Sequence, residues 1–201
     1  MKNYLFFAVV FIGTVSLSYS QTVTIGAQVW TTENLDVSTY RNGDEIPQVQ
    51  DRKKWGKLTT GAWCYYNNDP SNGTKYGKLY NWYAVNDPRG LAPVGYHIPS
   101  DKEWTILVDD YLGGEDAKMK SVSGWAETQN GNDISGFSGL PGGLRSQDGT
   151  FSDIGKQGLW WSSTENFNHA GYCNLYSNSD GNVFKSSTSK EIGFSVRCLR
   201  D

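Results

Sequence analysis

The chain has 201 residues, with 18 Lys and Arg against 21 Asp and Glu and a net charge of −3. The basic residues (Lys53, Lys54, Lys118, Lys120, Arg145, Lys185 and Arg197 among them) read as scattered, without the interleaved aromatics of a nucleic-acid groove, so a phosphate backbone is not the expected partner. Eight Trp and twelve Tyr supply a large aromatic complement, and a chain of this length buries enough surface for one domain.

Residues 1–20 read as a secretory signal peptide: Lys2, an apolar run from Leu5 to Val15, then small residues ending at Ser20. The run is too short for a hydrocarbon core of about 30 Å, no comparable run follows, and no Cys stands at the expected cleavage point to carry a lipid anchor. The expectation is an exported protein, secreted or at the cell surface, with a single domain over 21–201 and no membrane span in the mature form. Val23–Trp30 reads as a hairpin or bent strand turning at Gly26, Thr31–Lys57 as irregular, Gly61–Tyr66 as a strand and Asn67–Gly73 as a loop.

Two helices follow in the reading. Tyr76, Leu79, Tyr80, Tyr83 and Ala84 share one face of a 3.6-residue period that Pro88 and Gly90 end. Ser100 and Glu103 form a capping box ahead of Trp104, Leu107, Val108, Tyr111 and Leu112, with Gly113 placed to close the helix. Gly124–Gly158 is glycine-rich, either a functional loop region or short strands pinned by turns, and Asp148-Gly149 favours a hairpin within it. Leu159–Thr164, Gly171–Tyr176, Val183–Ser187 and Ile192–Leu199 read as strands, with a turn at 179–182. Two helices before a terminal antiparallel meander indicate an α+β fold.

In an exported chain the three cysteines, Cys64, Cys173 and Cys198, suggest one bridge and one leftover thiol. The residues alone leave the connectivity open. A Cys64–Cys198 bridge would tie the early chain to its end and contribute about 4–5 kcal/mol in the chain-entropy model. Metal ligation is the weaker reading, since no CxxC spacing occurs and only His97 and His169 are available to help.

Six motifs, GAWCYYNND, YGKLYNWYAV, GLAPVGYHIPSDKEW, SGFSGLPGGLR, GLWWSSTE and GFSVRCLRD, resemble the Fibrobacter succinogenes major paralogous domain over essentially the whole mature chain. The resemblance implies an exported bacterial protein and a fold more than an activity. It also implies the pairing of Cys64 with Cys198, leaving Cys173 as the odd thiol. A more distant likeness, in the tyrosine- and tryptophan-bearing first helix, IPSDKEW and the terminal GFSVR, is to the formylglycine-generating enzyme group and its C-type lectin-like fold. That enzyme needs a reactive, copper-binding cysteine pair a few residues apart, and Cys173 and Cys198 are far apart.

No GxSxG elbow accompanies His97 or His169, and Asp109, Asp110, Glu115, Asp116 and Glu165 sit in no motif that marks a glycosidase carboxylate pair. Asn67, Asn68 and Asp69, and later Asn130, Asn132 and Asp133, offer hard oxygens for calcium, but turn chemistry alone explains both clusters; no cofactor is expected, and calcium stays open. Trp160 and Trp161 are adjacent on a strand, so both are buried only in a two-sided core. If one ring faces a groove, it makes a sugar-stacking platform near Arg145, Glu165, Asn166 or His169. The sequence thus points to an α+β domain of the C-type lectin-like kind. Its expected function is a non-catalytic surface or extracellular binding module for glycan or protein ligands, with Arg145, Trp160, Trp161, Glu165 and Asn166 as contacts. An enzyme on the formylglycine-generating scaffold and a purely structural surface component are the alternatives.

Overall fold

The computed structural model describes residues 21–126, 129–178 and 181–201. The segment read as a signal peptide, and half of the turn expected at 179–182, lie outside the described residues. The protein is α+β, with short helices set among several antiparallel sheets.

The first hairpin forms as expected, β1 (Thr22–Ile25) against β2 (Gln28–Thr31), turning at Gly26 with φ 59°. Within the stretch expected to be irregular, Asp51 accepts from the Lys54 N–H at 2.7 Å and starts the single-turn helix α1 (Arg52–Trp55). After β3 (Trp63–Cys64), the expected loop instead contains the helix α2 (Pro70–Tyr76). Asp69 caps it by accepting from the Ser71 N–H, and Pro70 at its first position loses no hydrogen bond there.

The long helix expected from Tyr76 to Ala84 is corrected to three elements. Gly77 leaves the helix at φ 70°, β4 (Leu79–Tyr80) runs extended against β3, and Asn81 caps a new turn, α3 (Trp82–Val85), by accepting from the Ala84 N–H. Tyr76, Leu79, Tyr80 and Ala84 are all buried nonetheless. Their spacing matched a helix face while a strand and two turns did the burying.

After β5 (Tyr96–His97), the Ser100–Glu103 capping box opens α4 (Asp101–Thr105), which continues as a wider coil over Ile106–Tyr111. There the Leu112 N–H reaches back five residues to Leu107. Trp104, Leu107, Val108 and Leu112 face inward as expected, whereas Tyr111 is 38% exposed and its hydroxyl accepts from the Ala27 N–H. Part of the glycine-rich stretch resolves into a hairpin of β6 (Gly142–Arg145) and β7 (Phe151–Ile154), turning at Asp148-Gly149.

Three antiparallel strands, β8 (Gln157–Asn166), β9 (His169–Tyr176) and β10 (Phe184–Ser189), form a sheet in the order β10-β9-β8. Trp160 and Trp161 are both 0% exposed and belong to different cores. Trp160 packs edge-on to Phe137 in a cluster with Trp30 and Trp104, and Trp161 stacks at a tilt on Phe194 beside Tyr80 and Trp82. The strand is covered on both sides.

The last segment is corrected too: only Leu199–Arg200 form a strand, β11, and it joins the first hairpin in a sheet of order β1-β2-β11-β5. Residues 193–198 are extended but thread between elements, exchanging backbone hydrogen bonds at Gly193 with Arg145, at Phe194 with Tyr80 and at Ser195 with Leu159 and Trp161. Phe194, Val196 and Cys198 alternate into the first core. Arg197 turns the other way, wholly buried, and donates to Thr31 O (2.8 Å), Phe137 O (2.8 Å), Ser138 O (3.1 Å) and Asn34 Oδ1 (2.7 Å). Burial pulls the Arg197 guanidinium down to about 9.

Candidate functional site

The β6–β7 hairpin tip is built by short polar side chains bonding to their own backbone. The Asp148 carboxylate accepts from the Thr150 N–H and hydroxyl, and Ser146 and Thr150 close the turn. Thr150, then Arg52, hold the Asp148 carboxyl down to about 2. Facing the tip is α1 with the turn that follows it. The two walls touch backbone to backbone: a Cβ on Gly149, which has φ 79°, would lie 2.5 Å from Arg52 O, and one on Gly56 would lie 2.7 Å from Gln147 O. Arg52 ties them further by donating to Asp148 O at 3.0 Å and pairing with the Asp148 carboxylate.

Arg145 lies beneath, 0% exposed, and pins both walls from inside. It donates to Val49 O at 2.6 Å and Gln50 O at 2.9 Å on the α1 side, and to Gly149 O at 3.2 Å on the hairpin side. Its guanidinium stacks 4.3 Å from the Trp55 ring and 4.9 Å from that of Phe151. Trp55 is itself fixed by donating to Glu191 O at 2.8 Å. Above this floor lies an open groove of about 880 Å³, walled by Arg52, Lys53 and Lys57 on one side and Ser146, Gln147 and Thr150 on the other, with Ile192 at its edge.

The structure does not bring the five expected contact residues together. Arg145, Trp160 and Trp161 reach no solvent, so none is a docking surface, and each indole N–H is already committed, Trp160 to Asn34 Oδ1 and Trp161 to Tyr80 O. Arg145 belongs to the groove as its organiser and not as its lining. Glu165 is exposed and paired with Lys190. Asn166 lines a smaller polar groove of about 360 Å³ with Asp101, Thr105, Lys185, Ser186 and Ser187, where Lys185 is held by Asp109 at 2.7 Å. The next residue, Phe167, is 92% exposed at the hairpin tip.

The expected Cys64–Cys198 bridge is not formed. All three thiols are free and buried, each in a different apolar cluster: Cys64 beside Trp55 and Leu79, Cys173 beside Trp160 and Leu175, Cys198 among the residues around Trp161. Burial pushes Cys64 up to about 11, against the pull of Arg145, and Cys173 and Cys198 up to about 12. They are packing residues here.

His97 is clamped between two carboxylates, Nδ1 to Asp201 Oδ1 and Nε2 to Glu103 Oε1, both at 2.8 Å. Burial works to lower its pKa, but Asp201 and Glu103 outweigh it and the net shift is upward. With both ring nitrogens occupied and the Ser100 hydroxyl bonded to Glu103, this is a tie between β5, α4 and Asp201, the residue that follows β11. His169 is exposed at the start of β9. Among the carboxylates considered, Asp109 pairs with Lys185, Glu115 with Lys118, and Asp116 with buried Lys120 at 2.6 Å.

Among the described residues no group of three or more His, Cys, Asp or Glu could hold a metal ion. Of the oxygens considered for calcium, four serve turns: Asp69 caps α2, Asn130 accepts from the Trp125 N–H, Asn132 from Ile134, and Asp133 from Ser138. Among those residues, too, no helix is long and apolar enough to cross a membrane. The groove's cations were visible in the sequence as the local cluster RKKWGK at 52–57; counting basic residues over the whole chain hid it.

No curated protein and no solved structure matches the chain. A family model, the Fibrobacter succinogenes major domain, matches residues 23–200, a span that takes in both walls of the groove, both buried arginines and the six motifs up to Arg200. The chain belongs to the Fibrobacter succinogenes major domain family.

Proposed function

We propose that the protein is an exported, non-catalytic binding module that holds a glycan outside the cell in the groove between α1 and the β6–β7 hairpin tip. The carrying observation is the rigid construction of that groove: two walls in backbone contact, pinned from beneath by one buried guanidinium and lined by hydroxyl, amide and cationic groups. Fixed walls lower the ordering cost of binding, and such a lining matches the hydroxyl-rich surface of a sugar. The C-type lectin-like architecture is part of the same proposal, supported by α4, which opens at IPSDKEW and lays Trp104 against β8, the strand with which Ser195 of the GFSVR segment exchanges backbone hydrogen bonds.

The non-catalytic reading rests on the side chains that chemistry would need. The thiols are buried, protonated and apart; His97 has both nitrogens engaged, and the carboxylates considered for hydrolysis are each bonded to a cation or solvated. A glycan array probed with the purified protein, with and without calcium, tests the proposal. Array binding should be lost in Lys53→Ala/Gln147→Ala at an unchanged melting temperature and retained in Asn166→Ala/Ser186→Ala. The reverse pattern would move the site to the smaller groove, and capture of proteins but no glycan would change the ligand class.

A further inference from the structure

We infer that the ligand of this groove is an acidic polysaccharide, one bearing carboxylate or sulfate groups; the inference rests on the binding reading above. Four cations, Arg52, Lys53, Lys54 and Lys57, stand within six residues on a chain whose net charge is −3, and without them that charge would be −7. The chain concentrates positive charge at one groove against its own overall sign. All four are exposed, and three line the groove.

The pairing there is uneven. The one carboxylate in the lining, Asp148, is taken by Arg52, and among the described residues neither Lys53 nor Lys57 has a carboxylate within ion-pair distance. Two ammonium groups therefore face solvent across from the Gln147 amide, with no internal partner to displace. A bound anion gains their attraction without breaking an existing ion pair, whereas a neutral sugar leaves them unused.

Two features favour a segment of acidic polysaccharide over a small anion or a single-stranded nucleic acid. The groove is open and not enclosed, which suits a segment of a polymer. It also presents no exposed ring on which a base could stack, because Trp55 is wholly buried beneath Arg145. Hydroxyl and amide groups on the hairpin wall match sugar hydroxyls between the charged positions.

Biolayer interferometry of the purified protein against immobilised polygalacturonate, chondroitin sulfate, dextran and duplex DNA tests this. Both acidic polysaccharides should bind, dextran and DNA should not, and raising salt from about 50 to about 500 mM should weaken binding at least tenfold, as expected of exposed charges. Lys53→Glu/Lys57→Glu should weaken it at least tenfold, Lys53→Gln/Lys57→Gln by less, and Lys102→Glu/Lys156→Glu, with the same change in net charge elsewhere, should leave it unchanged. Thermal melts confirm that each variant is folded. Dextran binding that ignores salt and the lysine substitutions would overturn the acidic ligand and keep the glycan reading. Equal binding of DNA would overturn it in favour of unspecific polyanion attraction, and binding to no polysaccharide would remove both.

Discussion

Replacing Arg145 by Ala removes the buried group that holds both walls of the groove from beneath. Three carbonyls lose a donor, but Gln50 O keeps the Asn68 side-chain amide at 3.2 Å, leaving Val49 O and Gly149 O without their donor. At about 1–3 kcal/mol for each unsatisfied buried acceptor the loss is roughly 2–6 kcal/mol. Vacating the stack between Trp55 and Phe151 adds about 1 kcal/mol, and no longer having to bury a guanidinium returns part of the total. A net loss of about 3 kcal/mol corresponds to a fall in Tm of about 6–12 °C for a domain of this size. Arg145→Met, which refills the apolar volume without donors, should recover less than half. Guanidinium chloride unfolding followed by tryptophan fluorescence measures both. A loss in Arg145→Ala below about 0.5 kcal/mol, the range of ordinary surface changes, would mean that the guanidinium holds neither wall.

Arg197→Met strips the donors from Thr31 O, Phe137 O and Ser138 O and should cost about 2–5 kcal/mol in the same assay; a neutral result would show that water replaces the guanidinium. Because the folded protein raises the His97 pKa, the stability this residue adds is complete below its unfolded value of about 6.5 and is lost as pH rises through the higher folded value. Wild-type Tm should accordingly drop more steeply above neutrality than that of His97→Asn, and parallel profiles would show that the clamp contributes nothing. A thiol reagent should find no reactive cysteine in the native protein and three after unfolding; a Cys64–Cys198 peptide in a non-reducing digest would contradict the free, buried thiols.

Much of the fold was legible where local chemistry and tertiary packing agree. The Ser100–Glu103 box, the Gly26 turn and the Asp148-Gly149 hairpin each depend on side chains bonding to their own backbone, so the residues announce the geometry. For the adjacent Trp160 and Trp161 the alternation of a strand posed two outcomes, a two-sided core or one ring facing a groove, and the structure has the first, with the rings in different cores. Periodicity misled at Tyr76–Ala84 because a buried strand between two turns repeats apolar residues at a helix-like spacing; Gly77 and Asn81, the residues that break it, were the better signal.

The site was legible only by region. The hairpin of the glycine-rich stretch does form one wall of the groove, but Arg145, placed there as a ligand contact, points inward. A single arginine among apolar and glycine neighbours carries no mark in the sequence that separates an exposed cation from a buried one satisfied by carbonyls. The opposite wall comes from α1, nearly a hundred residues earlier, and only the tertiary fold joins the two.

The most direct test of the account is an amide exchange footprint of the purified protein with and without polygalacturonate. The account predicts added protection at residues 52–57 and 146–150, with the β10 strand and the α4 start unchanged. Protection centred instead on Asp101, Asn166 and Lys185, with 52–57 and 146–150 unaffected, would contradict it.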